Sequence, residues 1–344
     1  MSSEDRSDGV TTDCLDGVAK CPVWGGKQTF SHIDSRACIR FLINCADALR
    51  RIIMKHSPGA AILLITALLT LPSSNLLAQE SEATLERIAR TGEFVIGYRA
   101  DSSPLSYENA DGQPSGYSVD LCRRIAATVN AHFAEKDIET KFVRISSDER
   151  ISAVVDGKID IECGSTTITL SRQEQVDFSL PIFVTGGSVL SLAASGIQGM
   201  PDLSGKKVGV AKGTTTVEQL RNHLEQNLID AEIVIVDDRN EGMTRLNRGD
   251  IDALASDQIV LIGQVIEAPN PKRYSLVSEI FSYEPYGFVV RRNDADFRLV
   301  VNKAISQLYR SGLHAEIFHK WIGRIGISVP PILAAMYQLS ALPE

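Results

Sequence analysis

Three consecutive hydroxyl residues, Ser165, Thr166 and Thr167, follow a short apolar run that ends in glycine, and Arg172 comes five residues after the last of them. Hydroxyls and backbone amides at such a strand end donate hydrogen bonds, and a guanidinium can bind a carboxylate with two parallel bonds. This spacing indicates a site for a small anion. An ordinary strand-to-helix turn would give the same pattern, with Thr169 capping the helix and Arg172 on a solvated surface.

Further polar side chains follow the other predicted strands, namely Arg99, Ser147, Arg150, Thr215, Arg239 and Asp257. Several of them have a structural alternative. Ser147, Thr215 and Asp257 could each cap the helix that follows, Thr215 as the first residue of a Thr-x-x-Glu capping box. Arg150 could be compensated at the surface by the two acids before it. A helix N-terminus that faces a cleft is also an anion site, so both readings stay open.

The elements that must position these residues alternate along the chain. Short β-rich runs cover residues 94–97, 142–145, 159–163, 208–211, 233–236 and 251–255. Amphipathic helical patterns lie between and after them, at residues 118–130, 259–266, 295–309 and 314–321. Such alternation predicts an α/β fold in which the sheets are largely parallel and flanked by helices. Ligands of open α/β sheets bind beyond the carboxyl ends of the strands.

The strand and helix pattern occurs twice, with a break after Gly186 and Gly187, and therefore predicts two lobes. We assign residues 79–187 and 291–344 to the first lobe and residues 188–290 to the second. Crossover strands near residues 187–192 and 287–290 are expected to act as hinges. The polar strand ends of both lobes would then meet in the cleft between them.

The N-terminal region predicts export. An apolar run at residues 60–71 follows Arg50, Arg51 and Lys55 and ends in a proline- and serine-containing stretch, which is the layout of a signal peptide. The run is shorter than the roughly 20 residues of a membrane span. We interpret residues 54–78 as the signal peptide, with cleavage near Ala78. Residues 1–53 would be an upstream extension that is not translated if synthesis starts at Met54.

Composition excludes several classes of function. The 344 residues carry a formal net charge of -8, which argues against nucleic acid or an anionic membrane as partner. No histidine spacing resembles a metal site, and no phosphate loop, paired-cysteine zinc motif or Gly-x-Ser-x-Gly motif occurs. The sequence thus indicates no cofactor, no metal and no catalytic group.

Two cysteines, Cys122 and Cys163, lie after the predicted cleavage site. An oxidising compartment would allow them to pair. Because Cys122 lies on the apolar side of a helical pattern and Cys163 at a strand end, we expect two buried thiols instead.

From about residue 84 onward the chain resembles the periplasmic solute-binding proteins (family 3) of polar amino-acid ABC transporters, and specifically the glutamate/aspartate-binding group. The matching stretches are residues 85–92, 116–120, 162–167, 177–179, 203–208, 213–215 and 286–287, with Arg172, Trp321, Pro330 and Pro331. They keep their order across nearly the whole exported part. The resemblance implies a two-lobed periplasmic-binding-protein-like (type II) fold, each lobe a mainly parallel sheet flanked by helices.

The resemblance also implies how an amino acid would be held. Its α-carboxylate would be bound by Arg172 and by the amides and hydroxyls of Thr167 and Thr215. Its α-ammonium would be bound by Asp257 with help from Ser165. Buried charges of this kind require opposite charges and full hydrogen bonding.

An acidic ligand side chain would be met by Arg99, Arg150 and Ser147. The resemblance places a histidine where this chain has Arg239. This arginine could strengthen the binding of an acidic ligand, or it could point to solvent while Asn240 turns inward. Arg99, Arg150 and Arg172 against Asp257 alone would leave two net positive charges, so another acid such as Glu162 is expected to balance the excess.

By this resemblance the protein would be a periplasmic, monomeric binding protein that closes on L-glutamate or L-aspartate and docks on inner-membrane ABC permease subunits. Three alternatives stay open. One is a periplasmic enzyme of the same fold, such as a cyclohexadienyl dehydratase. Another is a binding protein for glutamine or asparagine. The last is a sensor domain or lyase, which the short C-terminal segment argues against.

Overall fold

The computed structural model describes residues 82–134 and 136–343. The strands are β1 (Glu93–Tyr98), β2 (Asp101–Ser102), β3 (Ser106–Glu108), β4 (Pro114–Ser115), β5 (Glu139–Arg144), β6 (Ile161–Glu162), β7 (Val176–Phe178), β8 (Phe183–Thr185), β9 (Gly187–Leu192), β10 (Lys207–Ala211), β11 (Glu232–Val236), β12 (Ala253–Asp257), β13 (Tyr274–Leu276), β14 (Glu284–Tyr286) and β15 (Val289–Arg291). The α-helices are α1 (Thr84–Thr91), α2 (Tyr117–His132), α3 (Arg150–Val155), α4 (Leu170–Gln173), α5 (Thr216–Gln226), α6 (Arg239–Arg248), α7 (Gln258–Glu267), α8 (Ala295–Ser311), α9 (Leu313–Trp321) and α10 (Pro331–Ser340).

Two five-stranded sheets define the two lobes. The first has the order β5-β1-β6-β15-β7, and the second has the order β11-β10-β12-β9-β13. In each sheet the first three strands are parallel, and one returning strand, β15 or β9, is antiparallel to both of its neighbours. The predicted pair of mainly parallel α/β lobes is therefore confirmed.

Helix α2 shows how the sequence pattern builds the first lobe. Its residues Cys122, Ile125 and Val129 recur at helical spacing, and all three are fully buried in the core of this lobe. Helix α8 covers the same core, where the ring of Phe297 meets that of Phe94 edge to face. Burial of these apolar faces holds each helix on its sheet.

The two crossover strands lie earlier in the chain than predicted. Strand β8 pairs with β14 in a separate antiparallel ribbon between the sheets. Residues 187–192 instead form the returning strand of the second sheet, and β15 already belongs to the first sheet. Their apolar character reflects burial inside a sheet, which the sequence pattern could not distinguish from a hinge. The lobe limits of residues 79–187, 188–290 and 291–344 stay a prediction.

The expectation of two buried thiols is wrong. Cys122 on α2 and Cys163 after β6 form a disulfide, with their Cα atoms 6.3 Å apart. Each cysteine was correctly expected to be buried, but their elements pack against each other only in the folded lobe. The bond ties α2 to the strand end that carries Ser165 and Thr167.

Loss of this disulfide is expected to destabilise the protein by about 4 kcal/mol, because the bond closes a loop of 41 residues and thereby restricts the unfolded chain. Urea unfolding of a Cys122→Ser/Cys163→Ser variant, compared with the wild type with and without reductant, measures the difference. Reduced wild type should match the variant. An unchanged free energy of unfolding in both would contradict this account.

The predicted signal peptide and upstream extension lie outside the described residues. Within residues 82–134 and 136–343, no helix has the length and apolar character needed to cross a bilayer.

Candidate ligand-binding site

The predicted site residues lie at the carboxyl ends of strands on the facing sides of both lobes. Arg99 follows β1, Ser147 and Arg150 follow β5, and Ser165, Thr167 and Arg172 follow β6; in the second lobe, Thr215 follows β10, Arg239 follows β11, and Asp257 ends β12. The lobes touch across this crevice. Gly213, at a positive φ of 70°, packs against the backbone of Asp148, and Gly263 packs against the backbone of Ser103. The two lobes are therefore closed on each other.

Arg172 reaches the crevice although its helix is capped as the structural alternative predicts. The Thr169 side chain accepts a hydrogen bond from the Arg172 backbone N–H at 3.1 Å. The guanidinium donates to the Thr167 carbonyl at 2.8 Å and across the lobes to the Gly213 carbonyl at 3.4 Å. The predicted cap is therefore present, Arg172 nevertheless faces the crevice, and burial lowers the pKa of Arg172.

Arg99 and Arg150 are buried and incompletely bonded. Each is at most 2% exposed and uses a single guanidinium nitrogen, Arg99 toward Asp101 at 2.6 Å and Arg150 toward the Gly213 carbonyl at 3.0 Å. The Nε and Nη1 atoms of both side chains have no partner. Buried donors of this kind carry a high free-energy cost unless an acceptor reaches them. Surface compensation of Arg150 is thus wrong.

Electrostatics around these two arginines favours an anion. Burial lowers the pKa of Arg150 well below its ordinary value, and the nearby Arg172 and Arg99 guanidiniums lower it further. Burial also lowers the pKa of Arg99. A bound carboxylate would offset the repulsion among the guanidiniums and accept hydrogen bonds from the unpartnered nitrogens.

The serines of the site connect the two lobes or link strand ends. Ser147 was considered as a helix cap, but its Oγ donates across the crevice to the Lys212 carbonyl at 2.8 Å, and α3 starts after Glu149. Ser165 Oγ contacts Ser102 Oγ at 3.3 Å. Both serines are buried.

Asp257 is the acid that the second lobe brings to the crevice. It does not cap α7, and its Oδ1 atom has no partner, while Oδ2 lies 3.5 Å from Arg239 Nη2. Burial raises the pKa of Asp257 to about 6, and the charge of Glu284 adds to this effect. An unpartnered buried carboxylate oxygen is suited to accept from a cation.

Arg239 points inward, so the solvent-facing alternative is wrong. It is 1% exposed and donates from Nε to Ser256 at 2.7 Å and from Nη1 to Ser102 at 3.2 Å. The same Nη1 lies 3.5 Å from Asp101 Oδ2 of the first lobe. All three guanidinium nitrogens therefore already have protein partners.

Asp101 was missed by the sequence analysis. Its carboxylate lies between Arg99 of the first lobe and Arg239 of the second. Although burial opposes ionisation, these two guanidiniums hold the pKa of Asp101 well below its ordinary range. An acid two residues after an arginine was the available signal, but its partner Arg239 is 138 residues away.

Glu284 on β14 was also missed. Thr167 Oγ1 donates to Glu284 Oε2 at 2.6 Å, and Thr215 Oγ1 donates to the same atom at 2.8 Å. The capping box at Thr215 is wrong because this side chain makes no cap bond. Both hydroxyl hydrogens are thus directed to Glu284, which leaves the backbone amides of these threonines as the groups that could donate to a ligand carboxylate.

The ionisable groups at the crevice balance each other. They are four arginines, Arg99, Arg150, Arg172 and Arg239, and four acids, Asp101, Glu162, Asp257 and Glu284. Glu162 is present there as expected, and Asp101 and Glu284 offset the remaining positive charge, to which Arg239 adds a further cation. Glu162 is fully buried, and its Oε1 atom has no partner. Among the described residues, no group of side chains could hold a metal ion.

Comparisons with known proteins agree with this geometry. Residues 94–324 match the family model of bacterial extracellular solute-binding proteins, family 3. An L-glutamate/L-aspartate-binding protein of Pseudomonas aeruginosa is 35% identical over 269 residues, covering 78% of this chain and 87% of that protein. A glutamate/aspartate import solute-binding protein of Salmonella typhimurium is 34% identical over 264 residues, covering 75% and 87%.

Solved structures share the fold. An ancestral arginine-binding protein bound to arginine has a TM-score of 0.60 at 30% identity and covers 67% of this chain and 98% of that chain. An ancestral amino-acid-binding protein, described as a precursor of cyclohexadienyl dehydratase, has a TM-score of 0.59 at 27% identity, covering 70% and 99%. The two-lobed type II fold implied by the resemblance is confirmed. The chain belongs to the bacterial extracellular solute-binding proteins of family 3.

Proposed function

We propose that this protein is the binding subunit of an ABC importer and captures an acidic L-amino acid, glutamate or aspartate, between its lobes. Arg99 and Arg150 would bind the side-chain carboxylate with Ser147. Arg172 and the amides of Thr167 and Thr215 would bind the α-carboxylate. Asp257 would bind the α-ammonium, with Ser165 beside it, and Arg239 would hold Asp257 without touching the ligand.

The unpartnered buried atoms support this proposal most strongly. Four guanidinium nitrogens of Arg99 and Arg150 need acceptors, and Asp257 Oδ1 needs a donor. An amino acid with a second carboxylate supplies acceptors and a donor in one molecule. A basic ligand would place a third cation against Arg99 and Arg150, which is disfavoured in a buried site.

Calorimetric titration with L-glutamate, L-aspartate, L-glutamine, L-asparagine and L-arginine tests the ligand class. We expect the two acids to bind at least tenfold more tightly than their amides, and L-arginine not to bind. Tighter binding of an amide would contradict the acid selectivity. One methylene in a pocket is worth about 1–3 kcal/mol, so the same titration ranks glutamate against aspartate.

Replacing Arg150 by methionine is expected to lower the affinity for L-glutamate at least tenfold and that for L-glutamine less than threefold. The substitution keeps an unbranched side chain but removes the charge that would face a ligand carboxylate, and buried charged hydrogen bonds are worth more than neutral ones. Titration of wild type and variant with both amino acids measures the difference. An equal loss of affinity for the two ligands would show that Arg150 does not distinguish a charged ligand side chain from a neutral one.

Affinity for L-glutamate is expected to fall as the pH drops below about 6, by up to tenfold per pH unit. The ligand ammonium needs ionised Asp257, whose pKa is raised to about 6 without ligand. Binding at pH 5.5 should therefore release a proton, which calorimetry in two buffers of different ionisation enthalpy detects. The stability of the ligand-free fold should change in the opposite direction, because an acid with a raised pKa favours folding as the pH falls from 6 toward 4. A pH-independent affinity between 5 and 7 would contradict the role of Asp257.

The protein would bind its ligand without catalysing a reaction, in contrast to a dehydratase of the same fold. Glu162 is a buried carboxylate with a free oxygen and would be the acid available for a dehydration. Asp257 gives the crevice an ammonium site, which favours an amino acid over a carboxylated ring compound. Incubation of the protein with a carboxylated cyclohexadienol, whose hydroxyl group could leave as water, should leave the compound unchanged, and its conversion would contradict a binding role.

The proposal also covers where the protein acts and which proteins it contacts. The protein would be exported to the periplasm and would deliver its ligand as a monomer to inner-membrane permease subunits. N-terminal sequencing of the secreted form tests the start of the chain. A mature terminus near residue 79 is expected, and a terminus upstream of Met54 would contradict the proposed initiation site.

A further inference from the structure

Glu284 has three hydroxyl donors and lies between the lobes. It belongs to crossover strand β14 and is 1% exposed. Its Oε2 atom accepts from Thr167 of the first lobe at 2.6 Å and from Thr215 of the second at 2.8 Å. Its Oε1 atom accepts from Ser282 at 2.7 Å. Hydrogen bonds from both lobes to one carboxylate oxygen require the closed arrangement.

The hydrogen positions follow from the acceptor. A threonine hydroxyl has one hydrogen, and an ionised carboxylate accepts but cannot donate. When Thr167 and Thr215 both donate to Glu284, their oxygens have only lone pairs left for other partners. The two oxygens lie 3.3 Å apart, so they form a small group of acceptors shared by the two lobes.

Strand pairing links this group of acceptors to Asp257. Thr167 forms a β-bridge with Tyr286, two residues after Glu284. Asp257 pairs with Gly187 on β9, which follows β8, the partner strand of β14. The charge of Glu284 also acts on Asp257, whose pKa it helps to raise. The unpartnered Asp257 Oδ1 and the two threonine oxygens would together provide lone pairs for a cation.

We propose that Glu284 is a positioning residue for the ligand's ammonium group: it takes the hydroxyl hydrogens of Thr167 and Thr215 and so turns both oxygens into acceptors when the lobes close. The inference rests on the proposed function as an amino-acid-binding protein. Glu284 does not touch the ligand itself. It makes recognition of the ammonium depend on closure, because the second-lobe hydroxyl reaches Glu284 only in the closed form.

Replacing Glu284 by methionine tests this role. The thioether keeps the length of the side chain but has no carboxylate oxygen, whereas a glutamine could still turn its one oxygen to both threonines and its NH2 group to Ser282. Thr167 and Thr215 then lose their shared acceptor, and their hydrogens can turn toward the ammonium. We expect the affinity for L-glutamate to fall at least tenfold and the affinity for glutarate, which lacks the ammonium, to change less than threefold.

Ser282→Ala is the matched control. It removes a hydrogen bond to the same carboxylate but leaves Thr167 and Thr215 unchanged, so both affinities should stay within threefold of the wild type. Removal of the Glu284 charge should also move the midpoint of the pH dependence of L-glutamate binding below 6, because this charge helps to raise the pKa of Asp257. Thermal unfolding of each variant verifies that it is folded.

The outcomes separate this inference from the proposed function. An equal loss for L-glutamate and glutarate, or no loss for either, would overturn the role of Glu284. If the wild type prefers L-glutamine, the acid selectivity fails, and the pair L-glutamine and glutaramate then tests Glu284 in the same way. Equal wild-type affinities for ligands with and without the ammonium would overturn both the ammonium site and its positioning by Glu284.

Discussion

Replacement of Asp257 by asparagine is expected to lower the affinity for L-glutamate by about 30- to 4,000-fold, because truncating one partner of a buried charged hydrogen-bonded pair costs about 2–5 kcal/mol. Asp257 is 3% exposed, and its Oδ1 atom has no protein partner. The asparagine would keep the size of the side chain but leave the ligand ammonium without a counter-charge. Calorimetric titration at pH 7.5, where the wild-type acid is ionised, measures the loss.

Glutarate provides the internal control for this variant. It has both carboxylates of glutamate but no ammonium, so its affinity for Asp257→Asn should equal or exceed its affinity for the wild type. The variant should also lose the fall in affinity below pH 6. If Arg172→Ala abolishes binding while Asp257→Asn binds L-glutamate like the wild type, the assignment of the ammonium to Asp257 is wrong.

Gly263→Ala is expected to weaken binding of every ligand by about 5- to 150-fold, because the substitution destabilises the closed form only. A Cβ atom at Gly263 on α7 would overlap the Ser103 carbonyl of the opposite lobe. Overpacking of this kind costs about 1–3 kcal/mol when backbone must move. The apparent affinity falls in proportion to the population of the closed form, because the ligand needs both lobes.

The stability of the individual lobes should not decrease in this variant. Alanine is a better helix former than glycine by about 1 kcal/mol, so the melting temperature of ligand-free Gly263→Ala should equal or exceed that of the wild type. Small-angle scattering with saturating L-glutamate should give a larger radius of gyration than for the loaded wild type. Unchanged affinity and an unchanged radius would contradict the close approach of Gly263 and Ser103.

These two predictions concern different parts of the free energy of binding. Asp257 acts on one functional group of the ligand, whereas Gly263 acts on the conformation that brings Arg172 and Asp257 together. A ligand favours the closed form only through contacts that it makes there and not in the open form. Loss of selectivity and uniform loss of affinity are therefore distinct experimental results.

Much of the fold, and the clustering of the predicted site residues, follows from the amino-acid sequence alone. Alternating apolar periods identified the two α/β lobes, and the positions of Arg99, Arg150 and Asp257 at strand ends placed them in one crevice. These features depend on local periodicity and on the rule that strand ends of parallel sheets meet at one edge, so a single sequence contains them.

Which groups pair in the crevice depends instead on how distant segments of the chain pack. Thr215 matched a capping box, but its hydroxyl bonds to Glu284, 69 residues away, and Asp101 meets Arg239 across 138 residues. Cys122 and Cys163 form a bond that their separate local patterns did not indicate. A sequence pattern shows only which hydrogen-bond partners lie within a few residues. In the folded protein a buried polar group bonds to the partner that packing brings to it, because leaving that group unpaired costs more free energy than losing a local helix cap.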